Sequence, residues 1–549
     1  MYYKFHKFFS IINHINKYIE FKGEKLMRRK NLIINTFLLT FSTMTLGLIG
    51  MVFRIYLSNQ IGSEGMGLYQ LIMSINVFAW TIAISGIRLT LTRLIAEEIG
   101  KKSSKDKIRH LLKCGFIYTL FFSCISALGL YYGSHFISTV LIGDIRAQTP
   151  LQILSFSMPF IGISACFNGY FYGCRKVIKS IFADFIENIT MIVIVAFFIT
   201  SFSTSNLEYT CSYITLGMTL GSIVACFCAY LMYIFEKKNK IERSIEKSNK
   251  TIFKEVVSVA LPIAGSAYIQ TFLRSIEDIL IPKALKSHGS STATSLSIFG
   301  VIKGMALPLL NFPSIFLASF STLIIPEIAQ YNVLNRKKSV NFVISKVIKF
   351  TLIIAFFATG FFMTYSSELG QILYKNDEVG IMLKILAPLI PFMYLDRIVD
   401  GSLNALDQQV YTLRYNLIDM TVRIIIINLL IPIFGIDGFI MVLFISTTLN
   451  FSLSANRLLK VTKLDFSIVN WVLKPTISIF ISTFVIKKFF YYINISNLAL
   501  HGVVIFIIYV FLLFISKCIS TKDITWFIDA FKKDPEKSSW SELNLYKQI

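Results

Sequence analysis

The run LYQLIMSINVFAWTIAISGIRLTLTRLIAEE, residues 68–98, decides the class of the fold. Its first sixteen residues carry no charge, and the apolar character continues through ISGIRLTLTRLIAEE to a charged end. Read as one helix rising 1.5 Å per residue, such a run crosses the roughly 30 Å hydrocarbon core of a bilayer. Arg88 and Arg93 interrupt it. A charged side chain near the bilayer centre costs about 2.5–3.5 kcal/mol on insertion scales. These arginines therefore reach water or meet something anionic.

Span-length apolar runs recur along nearly the whole chain. Fourteen begin between residues 31 and 498, and the longest polar interior stretch is EKKNKIERSIEKSNK, 236–250. The 549 residues are 54% hydrophobic and only 15% charged, with mean hydropathy +0.64. Soluble domains carry about 25% charged residues, so the expected class is an all-α polytopic membrane protein of about 14 transmembrane helices.

The net charge of +23 reflects topology rather than nucleic-acid binding. If spans alternate direction from the MRRK end, the connections on that side hold nineteen Lys/Arg, and the opposite connections hold Arg146, Lys286 and Lys375. The positive-inside rule then places both termini in the cytoplasm of a bacterium's inner membrane, in contact with membrane lipids. Eight cysteines without a CxxC and six scattered histidines predict no metal site, and the lack of a GxxxxGK[ST] loop predicts no ATP site. No cofactor and no enzymatic centre are expected. The basic, aromatic segment 1–30 lacks a signal-peptide cleavage pattern. It reads either as an interfacial helix or as sequence upstream of a start at Met27.

The chain also repeats itself. A shift of 230 lays TRLIAEEIG (92–100) on TLIIPEIAQ (322–330), and a shift of 232 lays LQILSFSMPF (151–160) on LKILAPLIPF (383–392). The latter offset also pairs Gly169 with Gly401, Asp184 with Asn416 and Glu187 with Asp419. Each copy holds six spans, an even number, so the copies insert in parallel about an axis along the membrane normal. The expected organisation is a lobe at 31–235, a cytoplasmic basic loop at 236–252, and a second lobe at 253–460. Two added helices at 468–518 and a cytoplasmic tail at 519–549 complete it. Paired lobes of this kind bind cargo between them and rock about it.

The run RIYLSNQIGSEGMGLYQLIMSINVF…ISGIRLTLTRLIAEE, with LLNFPSIFLASFSTLIIPEIAQ in the second copy, resembles the stage V sporulation protein B family. That family lies in the polysaccharide-exporter branch of the multidrug/oligosaccharidyl-lipid/polysaccharide superfamily, related to the lipid II flippases. The resemblance covers roughly residues 27–520. It implies a MATE-like, V-shaped bundle that flips a polyprenyl-pyrophosphate-linked sugar, a peptidoglycan precursor for a spore cortex in the nearest case. Where lipid II flippases carry basic residues, this chain has Met44 and Pro308. That leaves open another polyprenyl-linked polysaccharide unit as cargo. An ion-coupled multidrug exporter and a scaffold recruiting cell-wall synthesis enzymes are the remaining alternatives.

A pyrophosphate headgroup asks for cations facing a wet cleft, because Arg and Lys give it charge-assisted hydrogen bonds. The candidates are Arg54, Arg88, Arg274 and Lys303. Arg88 lies roughly 12 Å from its helix end, too deep to snorkel comfortably. Arg93 points about 140° away and reads as an interface anchor or the partner of a nearby carboxylate. Lys303 has no acidic residue within a turn, so it reads as unpaired, whereas Arg274 can meet Glu277 and Asp278 on its own helix. Asp184 and Glu187 are ion-coupling candidates. Asp396, Arg397, Asp400, Arg414, Asp419 and Arg423 read as a network within one lobe. Pro262 and Gly265 form an expected hinge in the seventh span.

Overall fold

The structure, a computed structural model, describes residues 2–101, 105–202, 206–236, 249–462, 464, 466–493, 497–521, 523 and 525. Most of the expected basic loop at 236–252 and of the tail at 519–549 lies outside them. Among the described residues the chain is helical, with no strand. Lipid offers the backbone no hydrogen-bond partners, so a spanning segment must satisfy its own amides and carbonyls.

Among the described residues, eleven helices are long and apolar enough to cross a membrane, or twelve if the pair Ile145–Ser155 and Met158–Gly173, bent by 46°, is one span. Two of these helices are each a pair of arms joined at a glycine. The spans Thr40–Gly100 and Gln409–Thr462 run to 61 and 54 residues, far more than a bilayer needs. Gly62 (φ 68°) and Gly435 (φ 57°) interrupt them in the left-handed region. The chain turns back at both. Arg54 donates to Gln70 at 3.5 Å, where sixteen residues of straight helix would separate them by roughly 24 Å. Likewise, Arg423 donates to Ser446 at 2.6 Å. Each long span is thus a hairpin, with arms 40–61 and 63–84 in one case, 409–434 and 436–462 in the other.

The stretch 68–98 is not one helix, as its apolar pattern suggested. It breaks at Ser85 (φ 45°) and Gly86 (φ 72°), and a new helix, Ile87–Gly100, follows. The break lets the chain press on helix Asn249–Ser287: a Cβ on Gly86 would stand 2.8 Å from the Ala260 carbonyl and 3.1 Å from the Ala264 nitrogen.

The main apolar core joins both copies of the repeat, from Leu57 and Leu68 to Leu310, Leu383 and Ile427. A smaller core gathers Ile87, Leu91, Leu111, Ala165 and Val256 beside the break. Large apolar side chains such as Phe121, Phe197, Ile433 and Phe480 are exposed on the outer faces. Lipid, not water, is the solvent for such faces.

Candidate functional site

The arm 63–84 meets the second copy at three levels. At one end, Ser297 donates to Ser63 at 2.7 Å. Gly67 and Gly300 make that approach possible: a Cβ on Gly67 would stand 2.0 Å from the Leu296 carbonyl oxygen, and one on Gly300 2.0 Å from that of Ser63. At the other end, Tyr268 donates to the Ser85 hydroxyl at 2.7 Å, and Tyr118 donates to the Ser85 carbonyl at 3.2 Å. Midway, eleven residues from each, Ser74 donates to Asp278 at 2.8 Å and accepts from Ser275 on its carbonyl at 3.0 Å. The two copies therefore touch above and below a polar centre.

That centre is a buried charge network drawn from five segments. Lys303 lies 2.7 Å from Glu277 and 3.2 Å from Asp278. Arg423 lies 3.2 Å from Glu277 and 2.5 Å from Asp419. Ser446 donates to Asp419 at 2.6 Å. Two cations thus face three carboxylates, so the network cannot by itself attract an anion.

This corrects the reading of Lys303 as unpaired. Its partners sit on the neighbouring helix, which a search within one turn cannot find. It also corrects the intrahelical pairing of Arg274. Glu277 and Asp278 are taken by Lys303, Arg423 and Ser74, and Arg274 is exposed with no hydrogen bond or ion pair among the described residues. At 100° per residue Arg274 projects between the directions of Asp278 and Glu277, one turn nearer the helix start. It therefore lies on the same side of its helix as these two carboxylates, about 140° around from Ile269, which is 53% exposed. An unpaired guanidinium beside a sealed network is the free cation of this site.

Arg54 is half-buried and weakly held. It donates to Gln70 at 3.5 Å and to the Gly304 carbonyl at 3.4 Å. Helix Thr292–Phe299 widens into a π-helical turn, Gly300–Ala306, which carries Lys303 and supplies that carbonyl; such turns recur at functional sites.

Arg88 lies elsewhere, in a cavity of about 70 Å³ inside the first copy, lined by Trp80, Asn168, Asp184, Glu187 and Ser222 among others. Its guanidinium stacks over Tyr172 at 5.0 Å, and Ser222 donates to Glu187 at 2.7 Å. The structure thus brings together Arg88 and both ion-coupling candidates, apart from Lys303 and Arg274. The 232-residue offset carries Asn168, Asp184, Glu187 and Ser222 onto Asp400, Asn416, Asp419 and Ser454. There, Ser454 donates to Asp400 at 3.1 Å, and Asn450 donates to Asp396 at 2.9 Å and to Asn416 at 3.2 Å. The offset thus pairs two clusters of polar side chains, one in each copy. Arg397 leaves this group to donate to Ser314, and Arg414 is exposed. Arg93 pairs with Glu97 at 2.8 Å on the surface.

Pro262 and Gly265 lie in the helix Asn249–Ser287, which is continuous through both. Among the described residues no group of three or more His, Cys, Asp or Glu is placed to hold a metal ion.

A model of a family described as polysaccharide biosynthesis protein matches residues 32–332. Stage V sporulation protein B of Bacillus subtilis (strain 168) is 24% identical over 453 residues, covering 81% of this chain and 87% of that protein. Among solved structures, the lipid II flippase MurJ in an inward closed conformation superposes with TM-score 0.66 at 17% identity, covering 87% of this chain and 98% of the other. An inward-facing multidrug resistance MATE family transporter gives 0.59 at 12% identity, covering 78% and 100%. At these identities the structural likenesses establish the fold: a multi-pass bundle of the MurJ and MATE type.

Proposed function

The chain belongs to the polysaccharide biosynthesis protein family, and from that premise we propose that it flips a polyprenyl-pyrophosphate-linked sugar to the outer leaflet of a bacterial cytoplasmic membrane. The cargo in this reading is a peptidoglycan precursor, for a spore cortex where one is made. The observation that carries it is Arg274: an exposed guanidinium at membrane depth, one turn from Glu277 and Asp278, with no ion pair among the described residues. An exposed intramembrane cation of this kind needs water or an anion, and the planar fork of Arg suits a phosphate oxygen pair. Arg54, weakly held one helix away, is the second ligand.

Lys303 acts in this reading as the organiser of the network rather than as a ligand. Asp184 and Glu187, beside Arg88, are the groups that exchange a proton or cation. The basic asymmetry makes the Ser63 end outer and the Ser85 end inner, so each closure is one side of an alternating-access cycle. Helix Asn249–Ser287 bends at Pro262 and Gly265 when the inner closure opens, because proline removes a backbone bond there. Moving two negative charges outward, down an inside-negative potential, releases about 2.3 kcal/mol per charge per 100 mV.

The test is reconstitution. Purified protein in vesicles containing a polyprenyl-pyrophosphate-linked disaccharide should expose the inner-leaflet pool to an external sugar-modifying enzyme. An inner pool that stays protected, with correctly inserted protein, would defeat the reading.

A further inference from the structure

A second membrane-facing site lies away from the polar centre. Helices Lys337–Thr364, Ile390–Ala405 and Lys474–Ile493 enclose an apolar groove of about 790 Å³, walled by side chains such as Phe356, Met363, Phe392, Phe480 and Phe484. That volume is in the range of pockets that take organic ligands, roughly 300–1,000 Å³. Four threonines also line it, but each hydroxyl donates to its own helix. Thr359 bonds Ala355, Thr364 bonds Gly360, Thr476 bonds Val472 and Thr483 bonds Ile479, at 2.7–2.9 Å. Their hydroxyls are therefore satisfied within the protein, and the groove wall is predominantly apolar.

The groove's polar end is cationic. Lys487 and Lys488 stand at its rim. Lys487 donates to the Thr364 carbonyl at 3.2 Å and lies a loose 3.7 Å from Glu368, with its side chain 55% exposed. Lys488 is exposed and makes no hydrogen bond or ion pair among the described residues. Thr364 ends a helix whose other end begins at Arg336, Lys337 and Lys338, so the pair sits on the side where Lys and Arg are scarce. Adjacent lysines there run against the topological trend. An apolar slot capped by two such ammonium groups is complementary to a chain with an anionic head.

We propose that this groove binds an anionic glycerophospholipid of the outer leaflet, with an acyl chain along Phe356–Phe484 and its phosphate on Lys487 and Lys488. The site is separate from Arg274 and does not depend on what the protein transports.

Full-length protein in a non-ionic detergent, titrated with dioctanoyl phosphatidylglycerol or dioctanoyl phosphatidylcholine and read by native mass spectrometry, tests it. Phosphatidylglycerol should bind more tightly. Lys488→Gln should weaken it about five-fold, and the Lys487→Gln/Lys488→Gln pair about 25-fold, from roughly 1 kcal/mol per surface lysine. A Lys→Arg pair should retain it. Thr476→Trp, which fills the groove from an exposed position, should weaken both lipids alike. Equal affinity for the two lipids, an unchanged double Gln variant, or preferential displacement of phosphatidylglycerol by a polyprenyl phosphate would overturn the proposal.

Discussion

Lys303 Nζ lies 2.7 Å from Glu277 Oε1, across two helices that are consecutive in the chain. Lys303 is 16% exposed and Glu277 4%, so this is a buried pair whose partners depend on each other. Removing one partner of such a pair costs about 3–5 kcal/mol, because the other is left as an uncompensated charge. Lys303→Met should therefore lower the amount of folded protein. The Lys303→Met/Glu277→Leu double variant should recover part of it, although Arg423 then loses one carboxylate. Protein level and melting temperature of the three variants in detergent check this. A single variant as stable as the parent would show that the network tolerates the loss.

The Ser63 closure rests on two glycines. Gly67→Ala puts a methyl 2.0 Å from the Leu296 carbonyl oxygen, a backbone atom that cannot swing aside. Overpacking of this kind costs about 1–3 kcal/mol, so the variant should favour the state in which this end is open. In a Ser63→Cys/Ser297→Cys background, cross-linking should fall at least five-fold, in line with about 1 kcal/mol.

The Ser85 closure is held by hydroxyls. Tyr268→Phe removes one hydrogen bond to Ser85, worth about 0.5–1.5 kcal/mol. Label access to a cysteine at position 264 from the side of the basic loops should rise several-fold, with no change in protein level.

Charge and pH act on Asp523, beyond the end of helix Leu498–Ile515. Asp523, buried, lies between Lys346 and Lys349, 3.0 Å from the latter. Burial would raise its carboxyl, but hydrogen bonds from Lys346, the Ser520 backbone and Lys349 outweigh it and hold the group well below the usual carboxylate range. A folded value depressed in this way contributes stability that is fully present above the unfolded value near 3.9, and that is lost as pH falls towards the folded one. Asp523→Asn should therefore make the end of the chain more sensitive to limited proteolysis at neutral pH. The difference from the parent should narrow below about pH 4.

Much of this arrangement could be read in the sequence, and its gaps have simple causes. Apolar runs and loop charge carry the membrane class because lipid imposes them on every span. The repeat is legible because Asp184 and Glu187 recur as Asn416 and Asp419 at one offset. Partners across antiparallel helices are not legible in depth along a single helix. Arg54 and Gln70 each lie eight residues from Gly62, and Glu277 and Lys303 lie ten and eleven from the helix ends Ser287 and Thr292. Equal depth on antiparallel neighbours is a signal that local spacing does not contain. The break at Ser85–Gly86 has a tertiary cause: a single SG dipeptide in an apolar run reads as helix, and only the approach of the Ala260 carbonyl favours glycine there.

In the proposed cycle Arg274 holds the anionic headgroup and Lys303 does not. Headgroup exposure in vesicles carrying a polyprenyl-pyrophosphate-linked disaccharide, measured beside thermal stability for Arg274→Ala and Arg274→Lys, tests it most directly. The alanine variant should melt with the parent, since Arg274 has no partner to lose, yet lose transport by about ten-fold or more, from the roughly 1.5–3 kcal/mol of a charged hydrogen bond. The lysine variant should keep part of the activity, because the charge stays and only the planar fork is lost. Full transport by Arg274→Ala, or a loss that merely follows a fall in stability, would contradict the claim.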